Sequence, residues 1–300
     1  VPVHFGKLTL VGVGLLGGSV GLAAKQRRLA AHVCGLVRRA AAVAECEQLG
    51  VVDSATRNLA TAASDADLVV LCSPIGQMRA LLKDLLPFLK PDAIVTDVGS
   101  VKGSVVEELE PLAASVGVRF VGSHPMAGAE KTGASAARAD LFQGAVCVVT
   151  PTQRTDPEAL RIVEGFWKAV GSRVLTLSPA QHDDLVGRSS HLPHVVAAEL
   201  VNYVLSPVHP KEQAQLCASG FRDTTRVASG SPEMWRDIAL ANRRHLGRVL
   251  GVFIEDLAEF RRALEEGDAA SVGEFFAQAK ARRDAWINPA EGPEGNGHGP

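Results

Sequence analysis

The chain has 300 residues, 46% hydrophobic and 21% charged, which is length for two ordinary domains and too apolar for an intrinsically disordered chain. Its 31 basic residues against 33 acidic ones leave a net charge of −2. No cationic excess is present to neutralise a nucleic-acid backbone, so that class of partner is set aside.

Short β-rich runs alternate with amphipathic stretches through the first half. Strands are predicted over 8–11, 32–37, 68–72, 93–97, 119–121 and 145–149, with helices over 17–29, 40–49, 77–86, 104–115 and 157–170. Nearly continuous apolar strands such as Leu68-Val69-Val70-Leu71-Cys72 imply a parallel sheet covered on both faces. The β signal stops around 173–178, and only helical periodicity follows, over 181–205, 211–217, 233–264 and 268–286. Ile238, Ala241, Leu246, Val249, Leu250, Phe253, Leu257 and Phe260 recur at three- and four-residue spacing, one apolar stripe on a helix of about thirty residues. So long a stripe calls for a helical partner, most economically a second copy of the chain. The expected organisation is a domain over 1–177, an all-helical domain over 178–288, and a disordered Pro/Gly-rich tail over 289–300.

Cys34, Cys46, Cys72, Cys147 and Cys217 show no CxxC pairing. Free thiols in a reducing cytoplasm are expected, with neither a structural zinc nor a disulfide framework. Val1-Pro2-Val3-His4 lacks the features of a signal peptide, and no apolar run reaches the ~18–20 residues of a membrane span. A cytoplasmic protein without membrane association is the expectation.

The first strand leads into Gly12-Val13-Gly14-Leu15-Leu16-Gly17, a G-x-G-x-x-G between strand and helix. The first glycine allows the tight turn, the second lets a pyrophosphate approach, and the third lets helix pack on strand. The helix N-terminus then offers free N–H groups to the phosphates. At the end of the second strand stands Arg38-Arg39, where an NAD site carries an acidic residue, so NADP is favoured over NAD. Gly12, Gly14, Leu15, Leu16, Gly17, Arg38, Ser73 and Pro74 are the candidate cofactor contacts.

Ligands of an open parallel sheet lie beyond the carboxyl ends of its strands. There the chain places Cys72-Ser73-Pro74, Asp97-Val98-Gly99-Ser100-Val101-Lys102 and Gly122-Ser123-His124-Pro125. The following proline should hold His124 extended at the sheet's edge. In the helical half, His191 and His194 share a helix face, and Pro193 frees the carbonyl of Ser189. No carboxylate completes a metal site around them. Gly220-Phe221-Arg222-Asp223-Thr224-Thr225-Arg226 gathers cations suited to an anionic substrate.

Taken in order, GVGLLGGS, DVGSVK, GSHPMAG, SHLPH and GFRDTTR with the later Trp235 resemble the prephenate/arogenate dehydrogenase family of tyrosine biosynthesis. The resemblance implies an α/β fold: an N-terminal Rossmann doubly wound sheet, then an all-α dimerisation domain like the C-terminal domain of 6-phosphogluconate dehydrogenase. It implies NAD(P)-dependent oxidative decarboxylation of prephenate to 4-hydroxyphenylpyruvate, or of arogenate to tyrosine. It further implies His124 as general base, with Ser100 orienting the hydroxyl and His124. Arg226 would bind a substrate carboxylate; Ser190, His191, His194 and Trp235 would line the pocket; Glu130 would sit in its closing loop. Ala129 stands where some members have a hydroxyl residue. No fused mutase or regulatory domain is expected at either end, so inhibition by tyrosine would act at the active site.

Two alternatives remain at this point. A dehydrogenase of the 3-hydroxyacid/6-phosphogluconate type would use a lysine base on the first long helix of the second domain, and 181–205 holds no lysine. A non-catalytic nucleotide-sensing scaffold would not need Ser100, His124 and Arg226 together.

Overall fold

The computed structural model describes residues 4–128 and 131–288. Eight strands among them form a single sheet: β1 (Phe5–Val11), β2 (Ala30–Leu36), β3 (Ser54–Thr56), β4 (Leu68–Leu71), β5 (Ile94–Asp97), β6 (Arg119–Pro125), β7 (Val146–Thr150) and β8 (Arg173–Thr176). Their order is β3-β2-β1-β4-β5-β6-β7-β8. All pairings from β3 to β6 are parallel, but β7 runs antiparallel to β6. The purely parallel sheet expected from the apolar runs is therefore corrected to a mixed one.

Strand periodicity of two explains the layering. Leu68 and Val70 join one core cluster while Val69 and Leu71 join the other. The first face is covered by α1 (Leu15–Gln26), α2 (Ala41–Gln48) and, further along the chain, the helix Pro157–Ala169; the opposite face takes α3 (Leu59–Ala63), α4 (Ile75–Leu85) and α5 (Gly103–Ala114). That later helix, α6, brings Val163, Phe166 and Trp167 into the first cluster with no exposed surface. Each such side chain contributes about 1.5–3 kcal/mol by leaving water. Asp156 caps α6 by accepting from Ala159 N, with Pro157 at its first position, a start written in the sequence.

After β8 the chain is helical: α7 (Pro179–Val186), a π turn (Gly187–His191), α8 (Leu192–Val204), α9 (Ser219–Thr225), α10 (Pro232–Ala241), α11 (Arg243–Glu266) and α12 (Ala269–Ile287). Ser178 and Gln181 form a reciprocal capping box at the start of α7. The helix predicted over 181–205 is broken, because Pro193 has no N–H for the carbonyl four residues back and the backbone widens into the π turn just before it. The helix predicted over 233–264 is also two helices, separated at the buried Asn242. The helix predicted over 211–217 is a 3₁₀ turn, Lys211–Leu216. β3, α3 and α9 are too short to give a periodic signal.

By compactness the chain divides into Val1–Leu246 and Gly247–Pro300. In the second unit, Phe260 packs against Phe275 and Phe276 at ring-centroid distances of 4.4 and 5.8 Å, and Asp268 caps α12. The tail predicted to be disordered, 289–300, lies outside the described residues. No described helix is long and apolar enough to cross a membrane.

Candidate active site

β1 ends in a turn that only glycine fits. Gly12 has φ +94, and a Cβ on Gly17 would stand 2.1 Å from the Gly12 carbonyl oxygen. Gly14 has nothing within 4 Å of where its Cβ would be, so the loop is open on the side a ligand would approach. α1 begins at Leu15 with no side-chain cap and no acidic residue in its first turn. Its free N–H groups and positive dipole end are left for an anion. Beside the loop, Ser73 Oγ is buried without a hydrogen-bond partner, and Pro74 starts α4. An unpaired buried hydroxyl next to an uncapped helix start fits a dinucleotide's phosphates and ribose. Leu16 packs on the core under the loop. Arg38 and Arg39 are exposed just past β2; Arg39 pairs with Glu45 at 3.5 Å, and the Arg38 carbonyl accepts from Arg57 Nε at 3.1 Å.

The carboxyl ends of β5 and β6 are joined by a buried polar network. Lys102 and Asp97 form an ion pair with neither side chain exposed, and Lys102 Nζ also donates to the Ser123 carbonyl at 2.8 Å. Asp97 accepts from the amides of Gly99 and Ser123 at 2.8 and 3.1 Å. Ser123 Oγ meets Thr96 Oγ1 at 2.8 Å and accepts from Trp167 Nε1 at 2.9 Å. Satisfied on all sides, this network makes the strand ends rigid.

His124 stands on that base. The expectation that it sits at the sheet's edge is corrected: β6 is an interior strand, extended to Pro125, and His124 pairs in register with Val148 of antiparallel β7. Its Nδ1 lies 2.8 Å from His182 Nε2, and His182 Nδ1 lies 2.8 Å from Asp183 Oδ1. Asp183 also accepts from the amides of Lys102 and Gly103 at 2.7 and 2.8 Å. Burial, then the neighbouring His182, Lys102 and His191, hold His124 well below the ordinary histidine value, so it is a neutral imidazole at physiological pH. His182 and Asp183 were missed by the sequence reading. Their only trace there is an adjacent His-Asp pair near a helix start.

The helical segment that brings His191 near His124 forms a cavity of about 350 Å³ lined by His191, His194, Val227, Gly230, Trp235 and Ile238 among others. His194 stacks on Trp235 with ring centroids 3.6 Å apart, and His191 meets the same ring edge-on at 6.1 Å. Burial pushes His191 down to about 4, against an opposing pull from Asp183. The Ser100 backbone lies close enough to His191 to favour its protonated form slightly. His191 is also held by Asn242, whose Nδ2 is 3.0 Å from His191 Nδ1.

The structure thus brings together His124, Ser100, His191, His194 and Trp235. Ser190 contributes its carbonyl, which accepts from His194 Nδ1 at 2.8 Å. Arg226 is exposed and lines a separate hollow with Arg222, Phe221 and Thr225. Glu130 and Ala129 lie outside the described residues. Among those described, no group of three His, Cys, Asp or Glu side chains is placed to hold a metal.

Comparison with known proteins gives a consistent result. A family model described as the nucleotide-binding domain of prephenate dehydrogenase matches residues 20–176, and one described as its dimerization domain matches 178–278. The chain is 34% identical to the prephenate dehydrogenase of Bacillus subtilis over 283 residues, covering 92% of this chain and 75% of that one. Among solved structures, prephenate dehydrogenase from A. aeolicus in complex with hydroxyphenyl propionate and NAD+ superposes with a TM-score of 0.88 at 33% identity, covering 94% of this chain and 98% of that one. Synechocystis arogenate dehydrogenase superposes with a TM-score of 0.79 at 32% identity, covering 93% and 99%.

Proposed function

Because the chain belongs to the prephenate dehydrogenase family, we propose that it oxidatively decarboxylates the cyclohexadienol ring shared by prephenate and arogenate, with NAD(P) as acceptor, in tyrosine biosynthesis. The observation that carries this reading is His124: a neutral, buried imidazole at the carboxyl end of β6, next to an aromatic- and histidine-lined cavity, on the sheet that bears the dinucleotide loop.

The substrate's ring hydroxyl gives its proton to His124 as general base. A bound oxidised nicotinamide would supply the acceptor for the hydride of the carbinol carbon, and the ring carboxylate leaves as CO2 with its bonding pair entering the ring. His124 then returns its proton to the phenolate oxygen, so the histidine ends as it began. Ser100 orients the hydroxyl and His124. Ser190, His191, His194 and Trp235 hold the ring and side chain, and the family resemblance adds Glu130 as a substrate contact. Arg226, in a hollow of its own beside Arg222, is assigned to a substrate carboxylate.

Gly12, Gly14, Leu15, Leu16 and Gly17 would hold the pyrophosphate, with Ser73 and Pro74 next to the loop. Arg38, exposed past the end of β2, would meet a 2′-phosphate there and so favour NADP. The working division is a dinucleotide domain over 1–177 and a substrate and dimerisation domain over 178–288, the active form being a homodimer. Five unpaired cysteines suit a reducing cytoplasm.

Steady-state kinetics with prephenate and arogenate, each against NAD and NADP, test the reading. Nicotinamide reduction and CO2 release with at least one pair are expected. No reduction with any of the four pairs would overturn it.

A further inference from the structure

The two histidines at the site are joined through one residue. Asp183 reaches His124 through its carboxylate and His182, and it reaches His191 through its backbone carbonyl and Asn242. All five groups are buried. The direction of each hydrogen bond follows from which atoms can donate.

On the first arm, burial raises the Asp183 carboxyl, but bonds from His182 and the amides of Lys102 and Gly103 outweigh this and keep it ionised. An ionised carboxylate only accepts, so His182 Nδ1 carries the proton. His182 is neutral because burial outweighs the pull of Asp183. Its Nε2 is therefore bare and must accept from His124 Nδ1–H. The remaining nitrogen of His124, Nε2, is left as a lone pair.

On the second arm, the Asn242 atom 2.9 Å from the Asp183 carbonyl oxygen must be the NH2 nitrogen, since an amide oxygen there would face another acceptor. The same nitrogen lies 3.0 Å from His191 Nδ1, which must then be bare. His191 carries its proton on Nε2, which is buried and makes no full hydrogen bond in the protein, with the Ser100 backbone as its nearby acceptor.

We infer that Asp183, His182 and Asn242 are positioning residues that set opposite tautomers on the two histidines. His124 presents a bare Nε2 that can only accept a proton, and His191 presents an Nε2–H that can only donate, to a substrate oxygen that enters beside the Ser100 backbone. The assignment rests on the reading of His124 as the base; the tautomers themselves do not. The arrangement matters because a histidine with free choice of tautomer spends part of its time unable to do its task.

The wild-type protein gives the first test. Nitrogen-15 NMR of histidine-labelled enzyme at neutral pH should show His124 protonated at Nδ1 and His191 at Nε2, assigned with the single variants His124→Asn and His191→Asn. The reverse pattern at either ring would overturn the inference. The second test compares His182→Gln, whose amide can both donate to Asp183 and accept from His124, with His182→Leu, which can do neither. The leucine variant should lose about 10²- to 10⁴-fold in kcat with the KM for dinucleotide unchanged, and the glutamine variant should recover most of that rate. Equal rates in the two, or a His124→Asn/His182→Leu double variant slower than His124→Asn alone, would also overturn it. A His124→Asn enzyme with wild-type kcat would sink the base assignment while leaving the NMR result standing, so the two failures are distinguishable.

Discussion

Lys102 and Asp97 form an ion pair in which both side chains are wholly buried. Neither group can be neutralised by water, and the pair lies directly under the strand ends that carry Ser100 and His124. Removing one partner of such a pair leaves an uncompensated charge, at a cost of about 3–5 kcal/mol. Lys102→Met should therefore lower the urea midpoint sharply. Adding Asp97→Asn should recover part of the loss, because the stranded charge is gone. A Lys102→Met protein as stable as wild type would show that the pair is not ionised.

Removal of the base is the most direct test of the site. His124→Asn should reduce kcat by about 10²–10⁴ and leave dinucleotide affinity intact, since the glycine loop is elsewhere on the sheet. His124 must be deprotonated to act, so kcat/KM falls as pH drops through its pKa. Because burial and the facing groups His182, Lys102 and His191 hold that pKa well below 6.5, the acidic limb belongs below pH 6.5 and should vanish in the variant. An unchanged limb in His124→Asn would assign it to another group.

His191 links stability to pH. Its value falls from 6.5 unfolded to about 4 in the fold, so the unfolded chain binds the extra proton first. The contribution is complete above pH 6.5 and is lost as pH falls toward 4. Urea unfolding at pH 7 and pH 5 should show lower stability at pH 5, and His191→Asn should flatten that difference. An equally steep decline in the variant would contradict this.

Arg38 is the proposed determinant of cofactor choice. A charge-assisted contact is worth about 1.5–3 kcal/mol, so Arg38→Asp should weaken NADP by about 10- to 150-fold and spare NAD. Unchanged NADP affinity removes the 2′-phosphate role.

The second compact unit exposes Leu264, Phe276, Trp286 and Ile287, each more than half accessible, on a segment partly matched by a dimerization-domain model. Light scattering at micromolar concentration should give twice the chain mass, and Phe276→Glu should shift it toward monomer. A fully active wild-type monomer would rule out the dimer as the active form.

Much of this protein is legible in the sequence. The apolar runs of β1, β4 and β5 and the stripes of α4 and α6 mark a sheet covered on both faces, because burial imposes its own period on any element. The glycine loop was also readable, since Gly12 takes a positive φ and Gly17 packs against the carbonyl of Gly12 five residues back. So was the start of α6, where Asp156 accepts from the amide of Ala159 and Pro157 stands at a position that needs no N–H. Each of these is a local requirement that neighbouring residues meet.

What the sequence left undecided depends on residues far apart in the chain. The antiparallel β7 is fixed by pairing with β6, and β-propensity carries no sign of direction. The break at Asn242 interrupts an apolar stripe that reads as continuous, because its amide is used on Asp183, 59 residues away. His182 left only an adjacent His-Asp pair as a trace, yet it meets His124 across 58 residues of chain. Residue type and spacing named His124 and His191 as reactive groups. Which nitrogen each one presents was decided only when folding buried them against single donors and acceptors, where an unpaired polar atom is too costly to leave unmatched.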